Sequence, residues 1–217
     1  MRSPLASATA LLGGSELRPL IRQERADLLA LLRTLTPAEW DAQSLCGSWR
    51  VRDVAAHLLH DSMPAATYLA DGVRGRGSLE RINAVQVDRA SSWSTEELLS
   101  RVEESVNGGL GAALLPRLSF VDLVIHQQDI RRPLGRVREI PSDRLLALLD
   151  NPDPFTGAPK RMAGLRLVAT DAEWQHGHGP EVRGPGEALA MSLAGRAAAL
   201  TDLAGDGLEV LSGRVRS

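Results

Sequence analysis

Two carboxylates and one histidine stand at helical spacing in a mostly apolar segment, residues 119–135. The apolar residues there are too closely spaced for a half-buried strand, and a proline and a glycine close the run, so the pattern predicts a buried helix. Asp122 and His126 are four residues apart and leave the same face of that helix about one turn from each other. Asp129 follows on that face. Such groups need a partner when buried, and the sequence leaves open whether this is a divalent metal or a simple Asp–His hydrogen bond.

A second group of candidate residues lies in the segment that begins at Trp49 and is predicted to be helical through Leu69. His57 shares a helix face with either His60, three residues on, or Asp61, four residues on. The pattern also fits one hydrogen-bonded core histidine and one surface histidine, with no metal.

Three other features are weaker candidates for chemistry. His176 and His178 flank a glycine in a predicted turn, which favours exposed side chains over metal ligands. Cys46 is the only cysteine, so no internal disulfide can form, and nothing near it in sequence marks it as a reactive thiol. The glycines of residues 108–111 follow a predicted helix instead of joining a strand to a helix, which argues against a phosphate-binding loop.

Composition excludes several classes of protein. A formal net charge of -2 argues against a nucleic-acid-binding protein. No apolar run approaches the ~20 residues that span a bilayer, and the N-terminus is weaker than a secretory signal. We therefore expect a cytoplasmic protein with a loose tail over residues 1–14.

The remaining patterns predict a helical part followed by a small mixed part. Turn residues are dense over residues 150–159, which places the boundary of the helical part there. The chain is predicted to form a helical domain over residues 15–150 and a small α+β domain over residues 151–217. The predicted helices are 15–35, 78–90, 94–115, 142–149 and 188–203, in addition to the two above and a short helical turn over residues 36–40, and the predicted strands are 165–170, 173–176 and 181–183.

Long helices joined by short loops predict an antiparallel four-helix bundle, whose core can hold a metal between facing helices. His57 from one helix, with Asp122 and His126 from another, would make a site of two histidines and one carboxylate. Three protein ligands leave a coordination position open, as in catalytic zinc sites. The same set of ligands is also used for Fe(II).

Two motifs in this order resemble the mycothiol-dependent maleylpyruvate isomerase family, within the DinB-like metal-binding four-helix superfamily. Residues 47–58, Gly-Ser-Trp-x-Val-x-Asp-Val-Ala-Ala-His-Leu, resemble the first metal motif of the family, and residues 122–135 resemble the second. Parts of residues 171–196 resemble the small C-terminal domain of some members. The resemblance covers most of the chain, and it implies a mainly α fold: a DinB-like bundle followed by a small α+β domain.

The resemblance implies a zinc site at His57, Asp122 and His126 and a low-molecular-weight thiol, mycothiol, as co-substrate. The expected reaction is isomerisation or S-transfer on a small electrophile, by a monomer or homodimer. Asp129 is predicted to orient His126, and Arg196 to bind a substrate carboxylate. The family often has Glu where this chain has Asp122, so the shorter side chain must approach the metal more closely or bind through water. A metal-dependent hydrolase and a non-catalytic metal-binding or ligand-sensing module are the alternatives.

Overall fold

The structure, a computed structural model, describes residues 13–153 and 156–216. It confirms the predicted fold class, because the described chain is mainly helical with one small sheet. The predicted tail over residues 1–14 lies almost entirely outside the described residues. Among the described residues, none of the helices combines the length and the apolar character needed to cross a membrane.

The elements follow one another in the order helices, sheet, helices. The α-helices are α1 (Gly14–Leu32), α2 (Pro37–Trp40), α3 (Val51–His57), α4 (Ala65–Arg74), α5 (Leu79–Ala90), α6 (Thr95–Ser105), α7 (Leu110–Leu114), α8 (Pro116–Arg131), α9 (Ser142–Asp150), α10 (Ala158–Met162), α11 (Gly186–Leu193) and α12 (Leu208–Arg216). Two short 3-10 helices span His60–Ser62 and Ala197–Asp202. The strands are β1 (Arg166–Ala169), β2 (Gln175–Gly177) and β3 (Glu181–Gly184).

Helix α8 is the centre of the helical part. Every residue from Ser119 to Ile130 is buried except Asp122, which agrees with the predicted buried helix. The helix packs along α1 and also contacts α3, α7, α9 and α11, while α3 packs against α5 and α6. A helix that is apolar on nearly all sides is expected in such a central position. Its one partly exposed position in this stretch carries a carboxylate.

The prediction of one continuous helix from Trp49 to Leu69 is wrong. Helix α3 ends at His57, the short turn His60–Ser62 follows, and α4 begins only at Ala65. Met63 is extended, with φ -67° and ψ 150°, because a residue before a proline is disfavoured in the helical conformation, and Pro64 follows it. The break places His60 in a tight turn and not on the helix that carries His57.

Two other predicted helices are interrupted at glycines. The segment 94–115 splits into α6 and α7 around Gly108, whose φ of 143° lies outside the helical region. The segment 188–203 becomes α11 and a 3-10 helix, with Gly195 at φ 92° between them. Only glycine reaches such angles readily, so these residues end the helices. Helices α10 and α12 were not predicted.

The three predicted strands form one sheet, in the order β2-β1-β3. Strand β1 pairs antiparallel with β2 and parallel with β3, so Leu167 lies between His176 and Val182. Helix α11 packs on β1 and β3 on one side and contacts α8 and α9 on the other. The segment from Gly195 onwards therefore begins next to the C-terminal half of α8.

Candidate metal centre

Asp122 occupies the one partly exposed position of α8 between Ser119 and Ile130, and the buried imidazole of His126 lies one turn further along. Oδ1 of Asp122 is 3.3 Å from Nε2 of His126. The other ring nitrogen, Nδ1, is 2.8 Å from Oδ2 of Asp129. The imidazole of His126 is thus held between two carboxylates of its own helix, as the i, i+4 and i, i+3 spacings permit.

Helix α3 brings His57 to the same place. Its Nε2 lies 3.5 Å from Oδ2 of Asp122, and its ring meets the ring of His126 edge-on with 4.9 Å between centroids. His57 is 4 % exposed and His126 7 % exposed, whereas a quarter of the Asp122 side chain is exposed. The structure therefore brings together the three residues predicted from sequence as ligands, with Asp122 on the accessible side.

His60 is the partner of His57, and Asp61 is not. The two imidazoles stack at 4.9 Å with 18° between their planes, and Nδ1 of His60 donates to the carbonyl oxygen of His57 at 2.9 Å. The Asp61 carboxylate instead accepts from buried Arg25 at 2.6 Å. The sequence left open whether His60 or Asp61 lies beside His57, and the helix break that positions both residues was not predicted.

Arg196 reaches the cluster from the C-terminal part of the chain. Its Nε and Nη2 donate to the two oxygens of Asp129 at 3.0 and 2.7 Å, and its Nη1 donates to the carbonyl oxygen of Ala194. Asp129 is completely buried. Asp129 and Arg196, for which the sequence analysis predicted roles in orienting His126 and in binding substrate, thus form a bidentate ion pair on the Nδ1 side of His126.

Cys46 also lies beside His126 and Asp129, a position that the sequence analysis did not predict. Its sulfur is within 4.8 Å of a ring nitrogen of His126 and a carboxylate oxygen of Asp129. The position comes from a loop that docks on α8, where the Leu45 amide donates to the carbonyl oxygen of Asp129 at 3.0 Å. No sequence signal shows this tertiary contact. Because Arg196 occupies both oxygens of Asp129, a cation bound among these three residues would face a guanidinium.

The remaining histidines, His176 and His178, are exposed as predicted. The ring of His176 stacks on Trp174 with 6.1 Å between centroids.

Burial and neighbouring charges set the protonation states. Burial lowers the pKa of His57 to about 4, although the Asp122 carboxylate partly opposes this. Burial also acts on His126, but Asp122 and Asp129 outweigh it and hold the pKa of His126 well above its usual value. Burial would raise the pKa of Asp122, yet His126 and His57 hold it well below its usual value. Near neutral pH the cluster contains a neutral His57, an ionised Asp122 and a protonated His126.

The spacing of these side chains suits a metal ion better than direct hydrogen bonds. The N···O separations of 3.3 and 3.5 Å around Asp122 exceed the usual range for N–H···O bonds. Tetrahedral ligands with metal bonds of about 2.0–2.2 Å would stand ~3.4 Å apart. In addition, Oδ2 of Asp122, which lies 3.5 Å from Nε2 of His57, is buried without a hydrogen-bond partner. His57, Asp122 and His126 could therefore hold a divalent cation once His126 loses its proton.

The chain is similar to known proteins of one family. The family model described as "Mycothiol maleylpyruvate isomerase N-terminal domain" matches residues 21–131, just over half of the chain. Two crystal structures are similar over 90 % of this chain and 93 % of theirs, with 17 % sequence identity and a TM-score of 0.61. They are mycothiol-dependent maleylpyruvate isomerase and a histidine-to-alanine mutant of the same enzyme. No curated protein matches the chain.

Proposed function

The chain belongs to the mycothiol maleylpyruvate isomerase N-terminal domain family, and from that premise we propose that it is a metal-dependent enzyme that uses mycothiol to isomerise or conjugate a small electrophile. The observation that carries the proposal is the cluster of His57, Asp122 and His126, in which ring nitrogens lie 3.5 and 3.3 Å from the Asp122 oxygens, close to the distance of ~3.4 Å between neighbouring ligands of a tetrahedral zinc ion. All three residues lie within the matched segment 21–131.

Zinc is the proposed metal, held by His57, Asp122 and His126. When bound, it would lower the pKa of a thiol, because thiolate is a ligand that zinc accepts readily. The partly exposed side of the cluster, at Asp122, is where a thiol and a substrate would approach.

Asp129 and Arg196 have positioning roles in this proposal. The Asp129 carboxylate accepts the Nδ1 proton of His126, which leaves Nε2 as the nitrogen that can face a metal. Arg196 holds both oxygens of Asp129 and so fixes the carboxylate. Contact between Arg196 and a substrate carboxylate also stays a proposal, and it would have to use the donors that Asp129 and Ala194 leave over.

The proposed chemistry depends on the fate of the thiol adduct. Addition of thiolate to a conjugated cis double bond, rotation about the resulting single bond and expulsion of the thiolate give the trans isomer and return the thiol. If the carbanion formed by the addition instead takes up a proton, which replaces the one lost by the thiol, before the thiolate can leave, the product is a thioether, and the enzyme is an S-transferase. The substrate class is therefore a small molecule with an electrophilic double bond.

The test is turnover of maleylpyruvate by zinc-loaded protein with and without mycothiol. We expect conversion to the trans isomer or to a thioether only when thiol and metal are both present, and loss of turnover in His126→Ala. His178→Ala, which changes an exposed histidine, is the matched control and should keep full activity. Thiol-independent turnover would indicate a hydrolase, and stoichiometric metal without turnover of any electrophile would indicate a binding module; either result overturns the proposal.

A further inference from the structure

A third histidine, His60, faces the proposed metal ligands from the turn His60–Ser62. We infer that His60 is a fourth, displaceable ligand, so that the protein itself closes the metal site until a thiol binds. This inference rests on the proposed metal site and adds a residue and a means of selecting thiol over water.

The position of His60 suits this role. Its Nδ1 is 4.0 Å from Oδ2 of Asp122, an oxygen that is buried without a hydrogen-bond partner. Ligands of a tetrahedral ion stand ~3.4 Å apart, so the imidazole needs to move by only about half an ångström to share an ion with Asp122. His57, His60 and Asp122 already offer ligand atoms within 4.8 Å of one another.

The turn that carries His60 is held firmly from behind. The buried guanidinium of Arg25 donates to the Asp61 carboxylate and to the carbonyl oxygen of Ser105, both at 2.6 Å. Gly109 and Gly111 lie so close to Asp61 that a Cβ on either would come within 2.6 Å of it. The absence of a side chain at Gly109 and Gly111 thus allows α7 to pack against this turn. Such support fixes an imidazole near its working position.

His60 is the ligand most easily displaced. Its side chain is 18 % exposed, compared with 5 % for His57 and 9 % for His126, so it lies on the side that solvent reaches. Its Nδ1 donates to the carbonyl oxygen of His57 in the present structure. Release from a metal would restore this hydrogen bond, which gives the displaced imidazole a defined resting place.

A displaceable fourth ligand has a consequence for selectivity. Structural zinc sites are closed by four protein ligands, whereas catalytic sites keep a position for water or substrate. An imidazole in that position excludes the water that zinc would otherwise activate for hydrolysis. A thiolate is a softer ligand for zinc and can replace the imidazole. The site would then open to the co-substrate and stay closed to water.

The test is long-range proton–nitrogen NMR of the imidazole rings, which separates metal-bound from free ring nitrogens. The protein has five histidines, and each can be assigned by single substitution. We expect zinc to shift the ring-nitrogen resonances of His57, His60 and His126 in the wild type. Addition of mycothiol should return the resonances of His60 alone to their metal-free chemical shifts. His178 is the internal control and should not respond.

Two variants make the test independent of folding. His60→Ala removes the imidazole, and His60→Gln keeps a donor for the His57 carbonyl. Both should still bind zinc through His57 and His126, and should lose it to a chelator about tenfold faster than wild type. Zinc binding in which His60 never shifts would overturn the inference and leave the proposed function standing. If zinc shifts the ring nitrogens of none of the histidines, both the inference about His60 and the proposed function are overturned.

Discussion

Helix α8 joins two buried clusters, each built around a carboxylate, and the two carboxylates differ in how completely they are paired. Glu24 on α1 accepts from Arg138, Arg144 and Gln127 at 2.6 to 2.9 Å and is fully buried. Asp122 has no neighbour in its cluster nearer than 3.3 Å, and its Oδ2 has no hydrogen-bond partner. We refer to Glu24 with these three partners as the Glu24 cluster, and to Asp122 with His57 and His126 as the Asp122 cluster.

The comparison distinguishes a polar cluster that stabilises the fold from one that is prepared for a ligand. A buried polar group without a partner costs free energy. The Glu24 carboxylate avoids this cost with protein groups alone, although Nε of Arg138 and Nε of Arg144 are buried without a partner. Its contacts tie α1 to α8, to α9 and to the segment before α9. In the Asp122 cluster, protein groups leave Oδ2 of Asp122 without a partner, as the proposed metal site requires. Loss of a residue from the first cluster should therefore affect folding, and loss from the second should affect metal binding.

The largest expected effect on stability is that of Glu24→Gln. The substitution removes the only fully buried counter-charge of Arg138 and Arg144, whose side chains are 10 % and 11 % exposed, and leaves them Asp27, which is 42 % exposed. Breaking a buried ion pair in this way costs about 3–5 kcal/mol. Urea unfolding of the metal-free protein in a chelator should show this loss, while zinc affinity of the folded variant stays as in wild type. If Glu24→Gln lowers zinc affinity and leaves the free energy of unfolding unchanged, the distinction between the two clusters is wrong.

Asp129→Asn tests the connection between His126 and its supporting carboxylate. The amide keeps the volume but removes the charge that holds Nδ1 of His126 and the guanidinium of Arg196. Loss of such a supporting partner usually lowers metal affinity about 10–100-fold, which competition with a chelator can measure. Asp202→Asn is the control, because Asp202 also pairs with an arginine but does not contact His126. Equal zinc affinity in both variants would contradict the role given to Asp129.

The buried His57 makes the stability of the metal-free protein dependent on pH. The pKa of His57 is lowered from 6.5 to about 4 on folding, so the unfolded chain binds more protons and stability falls as pH decreases through this window. Between about pH 7 and about pH 5, wild type should lose ~2 kcal/mol relative to His57→Gln, measured by urea unfolding. His178→Gln, at an exposed site, should follow wild type. Parallel pH curves for wild type and His57→Gln would be the contrary result.

The smallest expected effect is at the exposed pair of Arg33 and Glu103. Their side chains are 52 % and 60 % exposed and meet at 2.8 Å. Exposed pairs contribute less than about 1 kcal/mol, so Arg33→Ala should change neither urea unfolding nor zinc affinity much. A loss as large as that of Glu24→Gln would show that burial does not separate the two kinds of ion pair here.

Local sequence patterns predicted much of the fold and the main part of the candidate site. Helix α8 follows from apolar spacing, and the shared face of Asp122 and His126 follows from helical geometry. The strands were predicted, but their order was not, because pairing in a sheet depends on contacts between distant segments. Residues 151–217 as a separate domain stay a prediction.

What the sequence did not predict depends on tertiary contacts. The turn that follows His57 packs against Gly109 and Gly111, a contact with a distant segment that no local pattern indicates. Pairing of Arg196 with Asp129 joins residues 67 positions apart, and the docking of Cys46 beside His126 has no local signature. The Glu24 cluster was likewise invisible, since its charges are spread over three segments that only the fold brings together.

The most direct test of the central claim is the metal content of purified wild type, Asp122→Asn, His126→Ala and Glu24→Gln by elemental analysis. We predict near-stoichiometric divalent metal in wild type and in folded Glu24→Gln, and its loss in Asp122→Asn and His126→Ala. Metal-free wild type that resists reconstitution, or full metal retention in Asp122→Asn and His126→Ala, would contradict the claim that the Asp122 cluster is a metal site.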